Sequence, residues 1–214
     1  MFDSLINLIF PNYCINCKKY GKAICDKCLN SIQLAKAIDE DYTYAVYDYG
    51  NKIISKSIAQ LKYYKHSSYM KIIVKNSATY INEYLGNLLQ NILEQKLILI
   101  PIPQHKNQTN KKGFNQSELI TKWLSEEISN STIENILEKN INTKPQAKIN
   151  RKQRLFNIQN TMICKKIQNP KNIYIVIDDV TTTGATFIEA KRALKIAGAK
   201  KIICIAIAHG YAKK

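Results

Sequence analysis

Arginine is nearly missing from this chain. It occurs only at Arg151, Arg154 and Arg192, so 29 of the 32 basic residues are lysine. Acidic residues are scarce too: 16 Asp and Glu leave a net charge of +16 and a pI near 9.5. Such a balance suits an anionic partner such as nucleic acid. It equally suits lysine spread over the whole surface by compositional drift, and charge alone does not separate the two. Long apolar runs are absent as well, since none approaches the ~20 residues that a bilayer helix needs. The first residues, MFDSLINLIFPNYC, are apolar, but Asp3 stands where a signal peptide would carry basic residues. Both absences lead us to expect a cytoplasmic protein. With 22% charged and 45% hydrophobic residues, the composition is ordinary for a globular fold and argues against general disorder. A length of 214 residues holds one well-buried domain and a small appendage.

The most informative stretch runs from Lys171 to Ala199. Ile173, Tyr174, Ile175, Val176 and Ile177 form an apolar, mostly β-branched run, which predicts a strand buried on both faces in a parallel, helix-covered sheet. The run ends in Asp178 and Asp179. A loop follows, Val180, Thr181, Thr182, Thr183, Gly184, Ala185 and Thr186. Then Phe187, Ala190, Leu194 and Ala197 recur on one helical face, with Gly198 as a C-terminal stop. Ile202 to Ala208 is a second apolar strand. Ligands bind such β-loop-α-β units beyond the carboxyl end of the strand.

The loop carries specific chemistry. Unpaired N–H groups at a helix start favour a phosphate. Gly184 permits close approach of the backbone, and the hydroxyls of Thr182, Thr183 and Thr186 can donate to phosphate oxygens. Asp178 and Asp179 can accept hydrogen bonds from a sugar diol. An anion on the loop and a diol on the carboxylates together describe a ribose 5-phosphate.

Near the N-terminus, Cys14, Cys17, Cys25 and Cys28 are spaced C-x2-C-x7-C-x2-C. Two such pairs bring four thiolates to one tetrahedral ion, which favours structural zinc over a disulfide or a redox pair. Gly21 allows a tight return between the pairs. With all four positions filled by cysteine, no coordination site is left for a catalytic water. Phe2, Leu5, Ile6, Ile9 and Phe10 are expected to form a short amphipathic helix docking this knuckle. Cys164 and Cys204 are not spaced for metal, and Cys204, inside an apolar strand, is expected to be buried.

Between these regions the chain alternates strands and helices. A strand is expected at 42–49, a helix carrying Ile53, Ile54, Ile58 and Leu61 and closing on Lys62, Tyr63, Tyr64, Lys65 and His66, a longer helix from about Tyr69 to Gln90, and a strand at 97–100. The tyrosines interleaved with lysine around Lys62–Lys65 suit base stacking, although half-buried core positions are the commoner fate of such residues. After the strand at 97–100 comes the basic loop QHKNQTNKKGFNQ, where Lys106, Lys111 and Lys112 can meet a pyrophosphate or simply face solvent. Residues 140–170 read as an excursion. Its basic series, Lys144, Lys148, Arg151, Lys152 and Arg154, suits a flap over a polyanion or an exposed basic helix.

Two resemblances tie these pieces together. IVIDDVTTTGAT resembles the phosphoribosyl pyrophosphate motif of type I phosphoribosyltransferases. That resemblance implies that Asp178 and Asp179 hold the ribose hydroxyls, as the catalytic carboxylates, and that Thr181, Thr182, Thr183, Gly184, Ala185 and Thr186 bind the 5-phosphate, with magnesium accompanying the ligand. The segments IPIPQHKNQTNKKGFNQ and TKPQAKINRKQRLFN, the N-terminal F-P-x-x-C-x-x-C and the Leu61-Lys62-Tyr63 triplet resemble the ComF family of competence proteins, in family order. One departure is Lys112, where that family usually has arginine; lysine keeps the charge and loses the bidentate fork.

The expected architecture is therefore α/β. A four-cysteine zinc knuckle spans 1–30. A phosphoribosyltransferase-like domain spans 31–214, with a basic flap at about 140–160. Lys111, Lys112, Arg151 and Arg154 are the expected pyrophosphate and flap residues. The resemblance implies a phosphoribosyl pyrophosphate-binding protein of natural transformation, handling incoming single-stranded DNA alongside proteins of the uptake machinery. An active phosphoribosyltransferase with an unidentified acceptor is the alternative.

Overall fold

A computed structural model of the chain describes residues 13–35, 43–64, 66–89, 95–104, 113–140 and 160–211. A short helix α1 (Asp26–Asn30) ends the cysteine region. There follow β1 (Thr43–Asp48), α2 (Lys52–Tyr64), α3 (Ser68–Leu88), β2 (Leu97–Pro101), α4 (Gln116–Ser125), β3 (Ser131–Ile133), β4 (Leu137–Lys139), β5 (Met162–Cys164), β6 (Ile173–Thr181), α5 (Ala185–Ile196) and β7 (Lys201–His209). The expected N-terminal helix of residues 2–10 lies outside the described residues.

Five strands form one parallel sheet in the order β1-β7-β6-β2-β3. The architecture is α/β with a helix-covered sheet and an N-terminal four-cysteine cluster, consistent with the phosphoribosyltransferase-like arrangement. Strand β6 lies at the centre, and Ile173 to Ile177 are all fully buried. Side-chain alternation explains why. Ile173, Ile175 and Ile177 face a cluster with Leu99, Ile203 and Ile205, covered by Ile54, Ile58 and Leu61 of α2, Ile73 and Ile81 of α3, and Ile120 and Leu124 of α4. Tyr174 and Val176 face the opposite cluster with Ile98, Ile100 and Cys204, covered by Phe187, Ala190 and Leu194 of α5. Cys14, Ile15, Ile24 and Cys28 pack into the first cluster, so the cysteine region rests on the same core as α2 and α3.

Helix α5 ends as its sequence requires. Gly198 has φ +101°, its N–H bonds the Lys195 carbonyl at 3.0 Å, and the Ala199 N–H bonds the Leu194 carbonyl at 3.0 Å. That pair of bonds is the Schellman motif, and its left-handed residue favours glycine.

The remaining strands β4 and β5 pair antiparallel, Leu137 opposite Cys164 and Lys139 opposite Met162. They form the base of the excursion expected at 140–170 and pack on α5. Buried Glu189 of α5 accepts from the Met162 N–H at 3.0 Å, and Arg192 donates to both Glu189 oxygens and to the Met162 carbonyl, each at 2.8 Å. A helix thus clasps the base of the excursion through paired charges.

Candidate sugar-phosphate site and cysteine centre

The chain leaves β2 toward one edge of the sheet, to β3, and leaves β6 toward the other, to β7. The crevice between the carboxyl ends of β2 and β6 is therefore the switch point at which open α/β sheets bind ligands. Asp178 and Asp179 lie there, just past the last β2–β6 pair, Pro101 opposite Ile177.

The two carboxylates have different surroundings. Asp178 Oδ1 accepts from Ser117 Oγ at 2.8 Å and from the Asp179 N–H at 2.9 Å. Ser117 is positioned by the start of α4, where the Asn115 side chain caps the helix by accepting from the Ser117 N–H at 3.0 Å and donates to the Ile102 carbonyl at 3.0 Å. Burial and the charge of Asp179 push the Asp178 carboxyl up to about 7, against the opposing pull of these hydrogen bonds and of Lys62. Asp179 is buried, on the strand face covered by α2. Lys62, in the last turn of α2, reaches its Oδ2 at 2.6 Å. Burial works against the Lys62 charge, but Asp179 and then Asp178 outweigh it, so the ammonium is held above its ordinary range. Lys139 of β4 also feels Asp178; its own burial dominates and lowers it.

The loop beyond them has the expected form. Gly184 is the N-cap of α5 with φ +71°, and a Cβ there would meet no atom within 4 Å. The glycine is thus required by backbone conformation, and the space above it is open to a ligand. Thr182, Thr183 and Thr186 are partly exposed around the helix start, while Thr181 and Ala185 are buried. Thr183 Oγ1 approaches the Ala185 N–H at only 3.5 Å. Thr181 contributes its backbone, its carbonyl accepting from the Gly210 N–H at 2.8 Å. His209, opposite Thr181 in β7, places Nε2 3.3 Å from the Thr182 carbonyl.

Lys106, Lys111, Lys112, Arg151 and Arg154 lie outside the described residues, as does the flap from Lys144 to Arg154. Lys62 and Ser117 are neighbours of the two carboxylates that the sequence does not assign to this site. Lys62 has a signal, the Leu61-Lys62-Tyr63 triplet, but its interleaving with tyrosine suggests base stacking. The tyrosines divide: Tyr47 is buried, its hydroxyl donating to Asn76 Oδ1 at 2.7 Å, and Tyr44 stacks on Tyr84 at 4.3 Å, whereas Tyr63 is 76% exposed.

The four cysteines form the second centre. Their sulfurs all lie within 4.8 Å of one another, with Cys17 and Cys25 at 3.6 Å. Four sulfurs about 2.3 Å from a common ion would stand about 3.8 Å apart, whereas a disulfide needs about 2.05 Å. All four are free thiols. Gly21, at φ +114°, makes the return between the pairs, and Cys25 stands at the residue just before α1 without a side-chain bond to it. Crowded thiols ionise at one another's expense. Burial works to raise Cys14, but backbone hydrogen bonds overcome it and lower the thiol to about 6. The Asn16 amide that donates to Cys28 pulls it down, yet burial and the neighbouring sulfurs together outweigh that bond and raise it to about 11. A divalent cation removes this conflict by stabilising every thiolate at once, so the cluster can hold a zinc ion. No helix among the described residues is long and apolar enough to cross a membrane.

No family model matches the chain. Over 106 residues, 49% of its length, it is 28% identical to Competence protein F of Haemophilus influenzae. The match spans 46% of that protein, about half its length. The resemblance to the ComF competence proteins, read from motifs along the chain, is thus borne out by a curated relative of that name and by the four-cysteine cluster.

Proposed function

We propose that this chain binds phosphoribosyl pyrophosphate with magnesium at the carboxyl end of β6, carries one structural zinc, and handles incoming single-stranded DNA in the cytoplasm during natural transformation. One observation carries the sugar-phosphate reading. Two adjacent carboxylates precede a left-handed glycine and an open helix start, all at the switch-point crevice. The helix start suits the 5-phosphate, and the carboxylates suit the diol. Magnesium prefers hard oxygens and keeps waters, so pyrophosphate and ribose oxygens would supply much of its coordination. The place in transformation rests on the similarity to Competence protein F, and the DNA contact on the +16 charge. Calorimetry tests the core of the reading. Asp178→Asn combined with Asp179→Asn should abolish phosphoribosyl pyrophosphate binding in a protein that still melts cooperatively. Unchanged affinity in that double variant refutes the site.

One observation favours catalysis in addition. Asp178, in a crevice, has a carboxyl near neutrality, as groups at reactive sites often do. In a transfer, an acceptor would form a bond to C1 of the ribose as the C1–oxygen bond breaks and pyrophosphate leaves. The carboxylates would steady the ribose, and cations around the crevice would favour the departing anion. Pyrophosphate released only when an acceptor is added would establish the enzyme. Binding without release under a broad set of acceptors would leave a binding protein.

A further inference from the structure

Two carboxylates side by side are a poor receptor for a polyanion unless a cation accompanies them. Asp178 and Asp179 are adjacent, and the ligand proposed for them carries a phosphate at one end and a pyrophosphate at the other. Lys62 supplies a cation at contact distance, 2.6 Å from Asp179. The pair is not sealed, since the lysine side chain is 29% exposed and that of Asp179 10% exposed. An ammonium has three donors, and one bond to Asp179 leaves two. Lys62 comes from α2, an element separate from the strand-loop-helix unit that carries the carboxylates and the threonines.

We propose that Lys62 is a positioning and specificity residue of this site: tethered to Asp179, its ammonium receives the pyrophosphate arm of the ligand. The inference rests on the sugar-phosphate reading. A ribose whose 2- and 3-hydroxyls are held by the carboxylates presents C1 next to C2, so the group on C1 begins one bond from the held diol. An ammonium touching the same carboxylate is placed beside that group and away from the 5-phosphate, which the helix start holds. Lys62 therefore discriminates by what C1 carries. Ribose 5-phosphate, with a hydroxyl there, gains little from it, whereas phosphoribosyl pyrophosphate gains a charge-assisted contact.

The experiment compares two ligands on three proteins by calorimetry in magnesium buffer. Lys62→Met should weaken phosphoribosyl pyrophosphate about 10- to 100-fold, the range for a hydrogen bond to a charged group. Ribose 5-phosphate should change several-fold less, and Lys62→Arg, which keeps the charge, should restore much of the preference. Equal losses for both ligands would mean that Lys62 only props up Asp179, and no loss would mean that it is a bystander; either overturns the proposal. A second measurement needs no variant. Acetylation of Lys62 in the native protein, read by mass spectrometry, should be slowed by phosphoribosyl pyrophosphate and not by saturating ribose 5-phosphate, and equal protection or none counts against the proposal. If the native protein binds neither ligand, the sugar-phosphate reading itself fails. If it binds phosphoribosyl pyrophosphate and Lys62→Met leaves that binding intact, only the role of Lys62 fails.

Discussion

Asp178→Asn separates the stability of this fold from its chemistry, because the charge it removes is one the folded state resists. Burial, with the repulsion of Asp179, lifts the carboxyl from an ordinary 3.8 to about 7. Between those values the folded state keeps a proton that the unfolded chain has released. Stability therefore falls as pH rises through that window, and the whole cost is present above about 7. At 1.36 kcal/mol per pH unit the interval amounts to about 4 kcal/mol. Asparagine keeps an acceptor for Ser117 and for the Asp179 N–H, but its amide needs an acceptor of its own, which returns about half of that gain or more. A net stabilisation of about 1–2 kcal/mol remains, or about 2–8 °C in melting temperature for a chain of this size. The assay is thermal unfolding of the native protein and the variant at pH 5 and pH 8, followed by circular dichroism. The variant should melt higher at pH 8, whereas at pH 5, where little more than one pH unit of the cost has accrued, the unpaired amide should cancel or reverse the offset. A variant that melts lower at pH 8, or one whose offset does not change with pH, would refute the reasoning. The same variant should bind phosphoribosyl pyrophosphate poorly, the trade expected where function demands a buried charge.

Three further outcomes are expected. Reduced, unchelated protein should contain close to one equivalent of zinc by metal analysis. Cys14→Ser or Cys25→Ser should release it and loosen the cysteine region, since metal binding and local folding are coupled; metal-free native protein would sink the assignment. Arg192→Met should cost about 1–3 kcal/mol in denaturant unfolding at pH 7 by leaving the buried Glu189 carboxylate without its charged partner. Burial alone would raise Glu189, but the Arg192 hydrogen bonds win and hold it below its ordinary 4.5, so the stabilisation exists above that value and the gap between variant and native protein should narrow as pH falls below it. Removing Lys148, Arg151 and Arg154 together should flatten the salt dependence of single-stranded DNA binding by about 0.7 log units for each phosphate that the protein no longer neutralises. Removing Lys18, Lys19 and Lys22 should do much less, and an equal effect would mean that the charge acts diffusely.

Much of the fold is legible because its signals are local. The strands β1, β2, β6 and β7 announce themselves as apolar or β-branched runs, and α2, α3 and α5 as periodic faces. The three-residue strands β3, β4 and β5 are not legible, because so short a segment carries no period. β5 is held on α5 through the bonds of Met162 to Glu189 and Arg192, and β4 pairs with β5. Lys62 misleads for a related reason. A lysine among tyrosines looks like a nucleic-acid track until the packing of α2 on the sheet turns it toward Asp179.

By itself, then, the sequence determined which residues are neighbours in chemistry along the chain: the cysteine pairs, the carboxylates after a buried strand, the threonines and glycine before a helix, the glycine that ends it. These depend on backbone geometry over a few residues, where spacing is distance. The tertiary structure decided everything that depends on residues distant in sequence. It set Ser117 on Asp178 and Lys62 on Asp179, and placed the crevice between β2 and β6. It also decided the proton affinity of Asp178, because burial and neighbouring charge are properties of what surrounds a group, and no spacing along the chain encodes them.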